Sequence, residues 1–234
     1  TNGYALKQAL QYIHEPPVDA NMQQLAQGSH PAQQRLIFEE LVAHQVSLLT
    51  RRAYIRQIAS PSFSPSKTLA KALLAQLPFE MTQAQKRVSK EIVTDLKQNK
   101  PMLRLVQGDV GAGKTLVAAV AACHTLEAGW QVALMAPTEI LAEQHYLNFK
   151  RWFEPLGIQV AWLSGKQKGK ARTQAELTIK TGEAQLVVGT HALFQDTVEF
   201  AKLGLVIIDE QHRFGVDQRL ALRNKGNDLS LIHI

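Results

Sequence analysis

Gly108-Asp-Val-Gly-Ala-Gly113-Lys114-Thr115 constrains this chain more than any other segment. The spacing G-x-x-x-x-G-K-T belongs to a loop whose backbone N–H groups wrap a phosphate, and it works only between a strand and a helix. Both neighbours are legible. The apolar run Met102–Val106 ends just before the loop, and an unbroken apolar stretch, Leu116–Cys123, follows it. Glycine tolerates backbone conformations and close approaches that a Cβ forbids. Consecutive amides and the helix dipole then favour an anion at the helix start. Gly108, Asp109, Val110, Gly111, Ala112 and Gly113 are expected to form the cradle. Lys114 reaches the β and γ phosphates, and Thr115 offers its hydroxyl to Mg²⁺.

Downstream of Phe79 the chain alternates short apolar strands with helical stretches. The strands are Met102–Val106, Gln131–Ala136, Ile158–Leu163, Gln185–Thr190 and Leu205–Asp209, after a leading amphipathic helix from Thr82 to Gln98. Such alternation predicts an α/β domain with a parallel sheet covered by helices on both faces. Ligands of such sheets sit at the carboxyl ends of the strands. Asp209-Glu210 closes the strand Leu205–Ile208 and so is expected on the phosphate loop's edge. Asp209 would hold Mg²⁺ through water, and Glu210 would orient and deprotonate an attacking water. Phe79 and Gln85 lie just upstream of the loop. Gln85 is the last residue of a Thr82-x-x-Gln85 capping box, and its amide is also placed to read an adenine against which Phe79 packs. The proximity of the loop favours adenine.

Pro137 and Thr138 follow the second strand, and Gly189 and Thr190 follow a later one. Locally a plain helix cap is the stronger reading of Thr138, with a nucleic-acid phosphate at the helix start the alternative. Lys166, Lys168, Lys170 and Arg172 place four cations in one glycine-containing loop, either a phosphate-tracking element or a solvated one. Composition agrees with a polyanion partner without requiring it: 26 Lys+Arg against 20 Asp+Glu leaves +6. A single cysteine excludes an internal disulfide and a Cys-rich zinc site, and no H-E-x-x-H motif supports a zinc hydrolase. The longest apolar run is far short of the roughly 18 residues a membrane span needs. No signal-like segment opens the chain, so the cytosol is expected.

Before Pro78 the pattern is helical. Apolar residues from Leu36 to Ile58 recur near the helical period, predicting one long helix with a buried face, capped by Ser29 with Pro31 in its first turn. Pro61 and Pro65 interrupt the chain, and a short helix from Lys67 to Leu77 follows. Three segments are therefore expected: 1–78 as a helical linker region, 79–226 as the α/β domain, and 227–234 as an atypical tail.

Taken in order, Gly108–Thr115, Ala136-Pro-Thr-Glu139, Gly189-Thr-His191 and Asp209-Glu-Gln-His-Arg-Phe-Gly-Val216 resemble motifs I, Ia, Ib and II of superfamily 2 helicases. Gly165-Lys-Gln-Lys-Gly-Lys-Ala-Arg172, the motif II phrase and His30-Pro-Ala-Gln-Gln-Arg-Leu36 resemble the bacterial branched-DNA helicases of that superfamily. The resemblance implies a RecA-like motor domain that uses ATP and Mg²⁺ and remodels stalled forks and Holliday junctions, as a monomer near the nucleoid. Lys114 and Glu210 would be catalytic, and Thr115 and Asp209 would hold the metal. Pro137, Thr138, Gly189 and Thr190 would line the DNA path, and His212 would couple nucleotide to DNA. It also implies a wedge domain before Thr1 and a second RecA-like domain with an arginine finger after the tail. Without these the 234 residues are expected to bind ATP–Mg²⁺ weakly, hydrolyse it poorly and not unwind DNA. The transcription-coupled repair translocases share much of the motif set, with Glu at the position of Gln211. A non-catalytic ATP- or DNA-binding module is the alternative of another class.

Overall fold

The computed structural model describes residues 3–57, 59–63, 68–195, 197–210 and 229–234, and of residues 51, 52 and 55–57 the backbone alone. The chain divides into two compact units, residues 1–55 and 56–234.

In the first unit, α1 (Leu6–His14) and α2 (Met22–Ala26) precede the long helix α3, which starts at Pro31 and runs on to Gln57. The cap is not Ser29. His30 Nδ1 accepts the Ala32 N–H at 3.2 Å, whereas the Ser29 hydroxyl donates back to the Gln24 carbonyl. His30 also stacks on Tyr12, with ring centroids 4.4 Å apart. The expected buried face of α3 is absent among the described residues, where Ile37, Phe38, Leu41 and Leu49 are all exposed. The two preceding helices are short, and around the start of α3 His30 and Ala32 are buried and Leu36 half-buried.

The second unit is a six-stranded, wholly parallel sheet in the order β1-β6-β5-β2-β4-β3. The strands are β1 (Leu103–Leu105), β2 (Gln131–Met135), β3 (Val160–Leu163), β4 (Leu186–Gly189), β5 (Leu203–Ile208) and β6 (Ser230–His233). α4 (Thr68–Ala75) and α5 (Gln83–Leu96) precede β1, and between the strands run α6 (Lys114–Glu127), α7 (Glu139–Phe153) and α8 (Gly169–Thr181). Side chains of a strand alternate between faces, and the core divides accordingly. Val132, Leu134, Leu186, Val188, Leu205 and Ile207 join α5, α6 and α7 on one face. Ala133, Met135, Val187, Val206 and Ile208 join Ile179 and Leu193 on the other. Residues 116–126 of α6 are all buried, which explains that helix's lack of a polar stripe.

Two boundaries differ from expectation. The α/β unit begins well before residue 79, because Phe63 is completely buried in its core and its N–H donates to the Leu96 carbonyl at 2.8 Å. α4 packs on α6, and the Leu69 N–H donates to Glu127 Oε1 at 2.7 Å. At the other end, the segment set apart as a tail supplies β6, which fills the gap between β1 and β5. Leu231 and Ile232 pair with Leu103 and Arg104 on one side and with Val206 and Ile207 on the other. Its apolar residues satisfy the same burial demand as the neighbouring strands, with Ile232 fully buried.

Candidate functional site

The loop after β1 closes on itself. The Ala112 N–H donates to the Asp109 carbonyl, Gly111 and Gly113 adopt left-handed φ of +80° and +75°, and Gly113 is the N-cap of α6. Lys114 Nζ folds back into this curve, donating to the carbonyls of Gly108 at 2.8 Å and Asp109 at 3.1 Å. An ammonium has three donors, so one remains for an incoming phosphate. Thr115 is half-buried in the first turn of α6, while Asp109 and Val110 stand exposed at the loop tip.

Asp209 and Glu210 leave the same edge of the sheet. β1, β6 and β5 are parallel neighbours, so the loop and the acidic pair lie at carboxyl ends separated by a single strand, about 10 Å across. The backbone pins both residues. The Asp209 N–H donates to the Met135 carbonyl at 2.9 Å, and the Glu210 N–H donates to that of Ile234 at 3.1 Å. Glu210 has φ of +50°, a left-handed conformation uncommon outside glycine. The Asp209 carboxylate is held by an unforeseen residue: His145 Nε2 lies 2.6 Å from its Oδ2. An ionised carboxylate only accepts, so the imidazole donates. The sequence signal for His145 is a histidine on the apolar face of α7, in register with buried Ala142, Phe149 and Phe153. A buried polar side chain on such a face requires a partner.

Gln85 fills the capping role and reaches further. Thr82 Oγ1 accepts the Gln85 N–H, Gln85 Oε1 accepts the Thr82 N–H, and Gln85 Nε2 donates to the Ala112 carbonyl at 2.9 Å. The amide therefore touches the phosphate loop from α5. Glycine is required at Gly113 by its left-handed φ, and a Cβ there would also press on that Nε2, so the amide would have to swing away. Phe79, six positions before Gln85, is exposed, which leaves its ring open to stacking.

On the far half of the same edge, the Thr138 hydroxyl caps α7 by accepting the Leu141 N–H at 3.3 Å, and its own O–H remains to donate. Pro137 is half-buried beside it. The four cations after β3 are not all in a loop, because Lys170 and Arg172 lie in the first turn of α8 and Lys168 is its N-cap, and they divide into two sets. Lys166 pairs with Glu139 of α7, which raises its pKa, and Arg172 pairs with Glu176 and also donates to Gln195. Lys168 and Lys170 are exposed, with no ion pair among the described residues. Gly189 and Thr190 are buried rather than presented at the surface. Gly189 is glycine because a Cβ would overlap the Leu163 carbonyl of β3. His212 lies outside the described residues.

The donors fit a Mg²⁺ ion. A hydroxyl and a carboxylate are hard oxygen ligands, and Mg²⁺ is commonly held by one or two protein oxygens together with phosphates and water. No group of three or more metal-ligating His, Cys, Asp or Glu side chains occurs among the described residues.

A phosphate loop and an acidic pair one strand apart on the carboxyl edge of a parallel sheet are the arrangement of a RecA-like helicase domain. The DEAD/DEAH box helicase family matches residues 82–230, and the chain belongs to that family. Within it, the chain is similar to the ATP-dependent DNA helicase RecG. It is 59% identical to RecG of Pasteurella multocida (strain Pm70) over 95% of its length, and 57% identical to that of Escherichia coli (strain K12) over 94%. It spans about a third of the length of these curated relatives, 32% in both cases. A solved structure of RecG bound to a three-way DNA junction superposes with a TM-score of 0.76 at 41% identity, covering 87% of this chain and 27% of that one. The UvsW helicase of bacteriophage T4, at 19% identity and a TM-score of 0.54, covers 76% of this chain and 62% of its own and shares the fold.

Proposed function

We propose that the chain is the ATP-binding half of a DNA-translocating motor that acts on branched DNA. The observation that supports this best is the shared edge: the loop ending in Lys114 and the pair Asp209-Glu210 flank one strand, and Thr138 with the lysine loop occupies the other half of that edge. The relatives named as RecG, one of them solved on a three-way junction, supply the substrate class.

In this reading the loop amides and Lys114 hold the triphosphate, and the lysine exchanges its contacts with Gly108 and Asp109 for the phosphate oxygens. Thr115 and Asp209 hold the magnesium ion, which when bound neutralises charge developing between the β and γ phosphates. Glu210 accepts a proton from the attacking water. Its backbone bond to Ile234 fixes where the carboxylate starts from. Gln85 reads the adenine edge with the donor that it now spends on Ala112, and Phe79 stacks on the ring. Pro137, Thr138, Lys168 and Lys170 contact the phosphates of the nucleic acid. Motor domains of this kind convert binding and release of nucleotide into domain movement.

The test is titration of the chain with a fluorescent ATP analogue, with and without Mg²⁺. Saturable uptake that Lys114→Ala abolishes is expected. Uptake insensitive to that substitution would remove the nucleotide from this loop and end the motor reading.

A further inference from the structure

We infer that His145 is a positioning residue for the metal side of the nucleotide site, tying Asp209 to the helix that carries the nucleic-acid contacts. The inference rests on the reading of Asp209 as a magnesium ligand.

The geometry carries it. The imidazole donates to Asp209 Oδ2 at 2.6 Å, and the pair is largely shielded, with the two side chains 11% and 17% exposed. A carboxylate turning on its last torsion presents either oxygen to a cation; one fixed at Oδ2 by a ring donor does not. Among the described residues no other side chain bonds Asp209, and of these contacts the one to His145 orients the carboxylate beyond what the backbone bond to Met135 imposes. Orienting bonds of this kind around metal ligands typically change metal affinity by about 10–100-fold when removed.

The placement of His145 adds a second element. It lies 145 − 138 = 7 positions after Thr138, two turns or about 10 Å along α7. The same rigid helix carries at its start the Thr138 hydroxyl and the Glu139 carboxylate that pairs with Lys166 of the basic loop. A displacement of the α7 N-terminus by a bound strand is thus delivered to the Asp209 carboxylate without passing through the sheet. The two outer groups and the imidazole are joined by one helix whose remaining inward residues, Ala142, Phe149 and Phe153, are apolar packing.

The experiment uses the 234-residue chain and measures the Mg²⁺ concentration that half-saturates binding of a fluorescent ATP analogue, for wild type, His145→Ala, His145→Leu, His145→Gln and Asp209→Ala. Gln offers an N–H donor of similar reach, and Leu restores the packing without a donor. His145→Ala and His145→Leu are expected to raise the Mg²⁺ requirement roughly tenfold while leaving Mg²⁺-free nucleotide affinity as it was, and His145→Gln is expected to return it to within about threefold. A His145→Leu protein with a wild-type Mg²⁺ requirement makes the histidine a packing residue and overturns the inference. So does His145→Gln failing as badly as alanine. If Asp209→Ala itself leaves the Mg²⁺ dependence unchanged, the metal assignment fails and the inference falls with it. A response to Asp209→Ala but to no His145 variant sinks the inference alone.

Discussion

The side-chain amide of Gln85 joins the first turn of α5 to the phosphate loop, donating to the Ala112 carbonyl at 2.9 Å across 27 positions of sequence. The same side chain closes the capping box with Thr82, so its carbonyl end serves the helix and its N–H end faces the phosphate loop. Cap and base-reader are therefore not competing descriptions. Gln85→Ala is expected to cost about 1 kcal/mol of stability through the missing bonds and to erase any preference for ATP over GTP in a competition titration. Equal weakening for both nucleotides would leave Gln85 as a cap and a loop brace only.

Gly113 is the residue against which that amide rests. Alanine there is strained by a φ of +75°, and its Cβ would push aside Gln85 Nε2, the movable end of that side chain. The left-handed conformation alone costs about 1–2 kcal/mol, and the displaced amide releases the loop. Gly113→Ala is expected to lower the melting temperature and to cut ATP uptake more than tenfold. Preserved uptake at a lowered melting point would show that the loop does not need this brace.

Glu210 separates binding from turnover. Its carboxylate is the candidate base, and glutamine keeps the side-chain length and the backbone bond to Ile234. Glu210→Gln is expected to bind ATP as the parent does and to lose about 10²–10⁴-fold of any turnover measured with a forked DNA present. Turnover indifferent to this change would assign the base elsewhere.

The lysine loop supports a prediction sharper than its total charge. Lys166 and Arg172 are engaged with Glu139 and Glu176, so the cations available to DNA are Lys168 and Lys170. Neutralising both to glutamine is expected to flatten the slope of log affinity against log salt by about 2, because each phosphate that a lysine neutralises contributes roughly 0.9 to it. Neutralising Lys166 alone is expected to change that slope less, because Glu139 already balances it. An unaltered slope in the double variant would make this a solvated loop.

The parallel sheet, five of its strands and the loop at the end of β1 are legible in the sequence because each depends on short-range pattern: apolar runs, a glycine spacing, a carboxylate pair after a strand. What is not legible depends on contacts distant in sequence. His145 and Asp209 are 64 positions apart, and nothing local announces their bond. Thr190 reads as a surface contact because its neighbours match a strand-end motif, yet the close approach of β4 to β3 at Gly189 draws it inside. β6 escapes a pattern reading because Ser230–His233 is brief and follows no motif, although its pairing register is fixed on both sides by β1 and β5. The periodicity of α3 predicts burial, but periodicity states only that a helix has an apolar face and is silent on what covers it.

The boundary of the α/β unit gives the last prediction. Proline and serine spacing around Pro61 and Pro65 suggests a linker, a reading that equates low local order in the sequence with separation in space. Phe63 contradicts it. The ring is fully buried, meets Trp130 edge-on with centroids 5.9 Å apart, and approaches Gly204 so closely that a Cβ there would stand 2.8 Å from it. Leu73 on α4 is fully buried in the same cluster. Phe63→Ala is expected to destabilise the unit by about 3–5 kcal/mol, read by denaturant unfolding. A chain starting at residue 79, which lacks both Phe63 and Leu73, should lose more than that and unfold at a lower temperature than one starting at residue 56. Equal stability of the two shortened chains would move the boundary back to residue 78 and make the buried phenylalanine incidental.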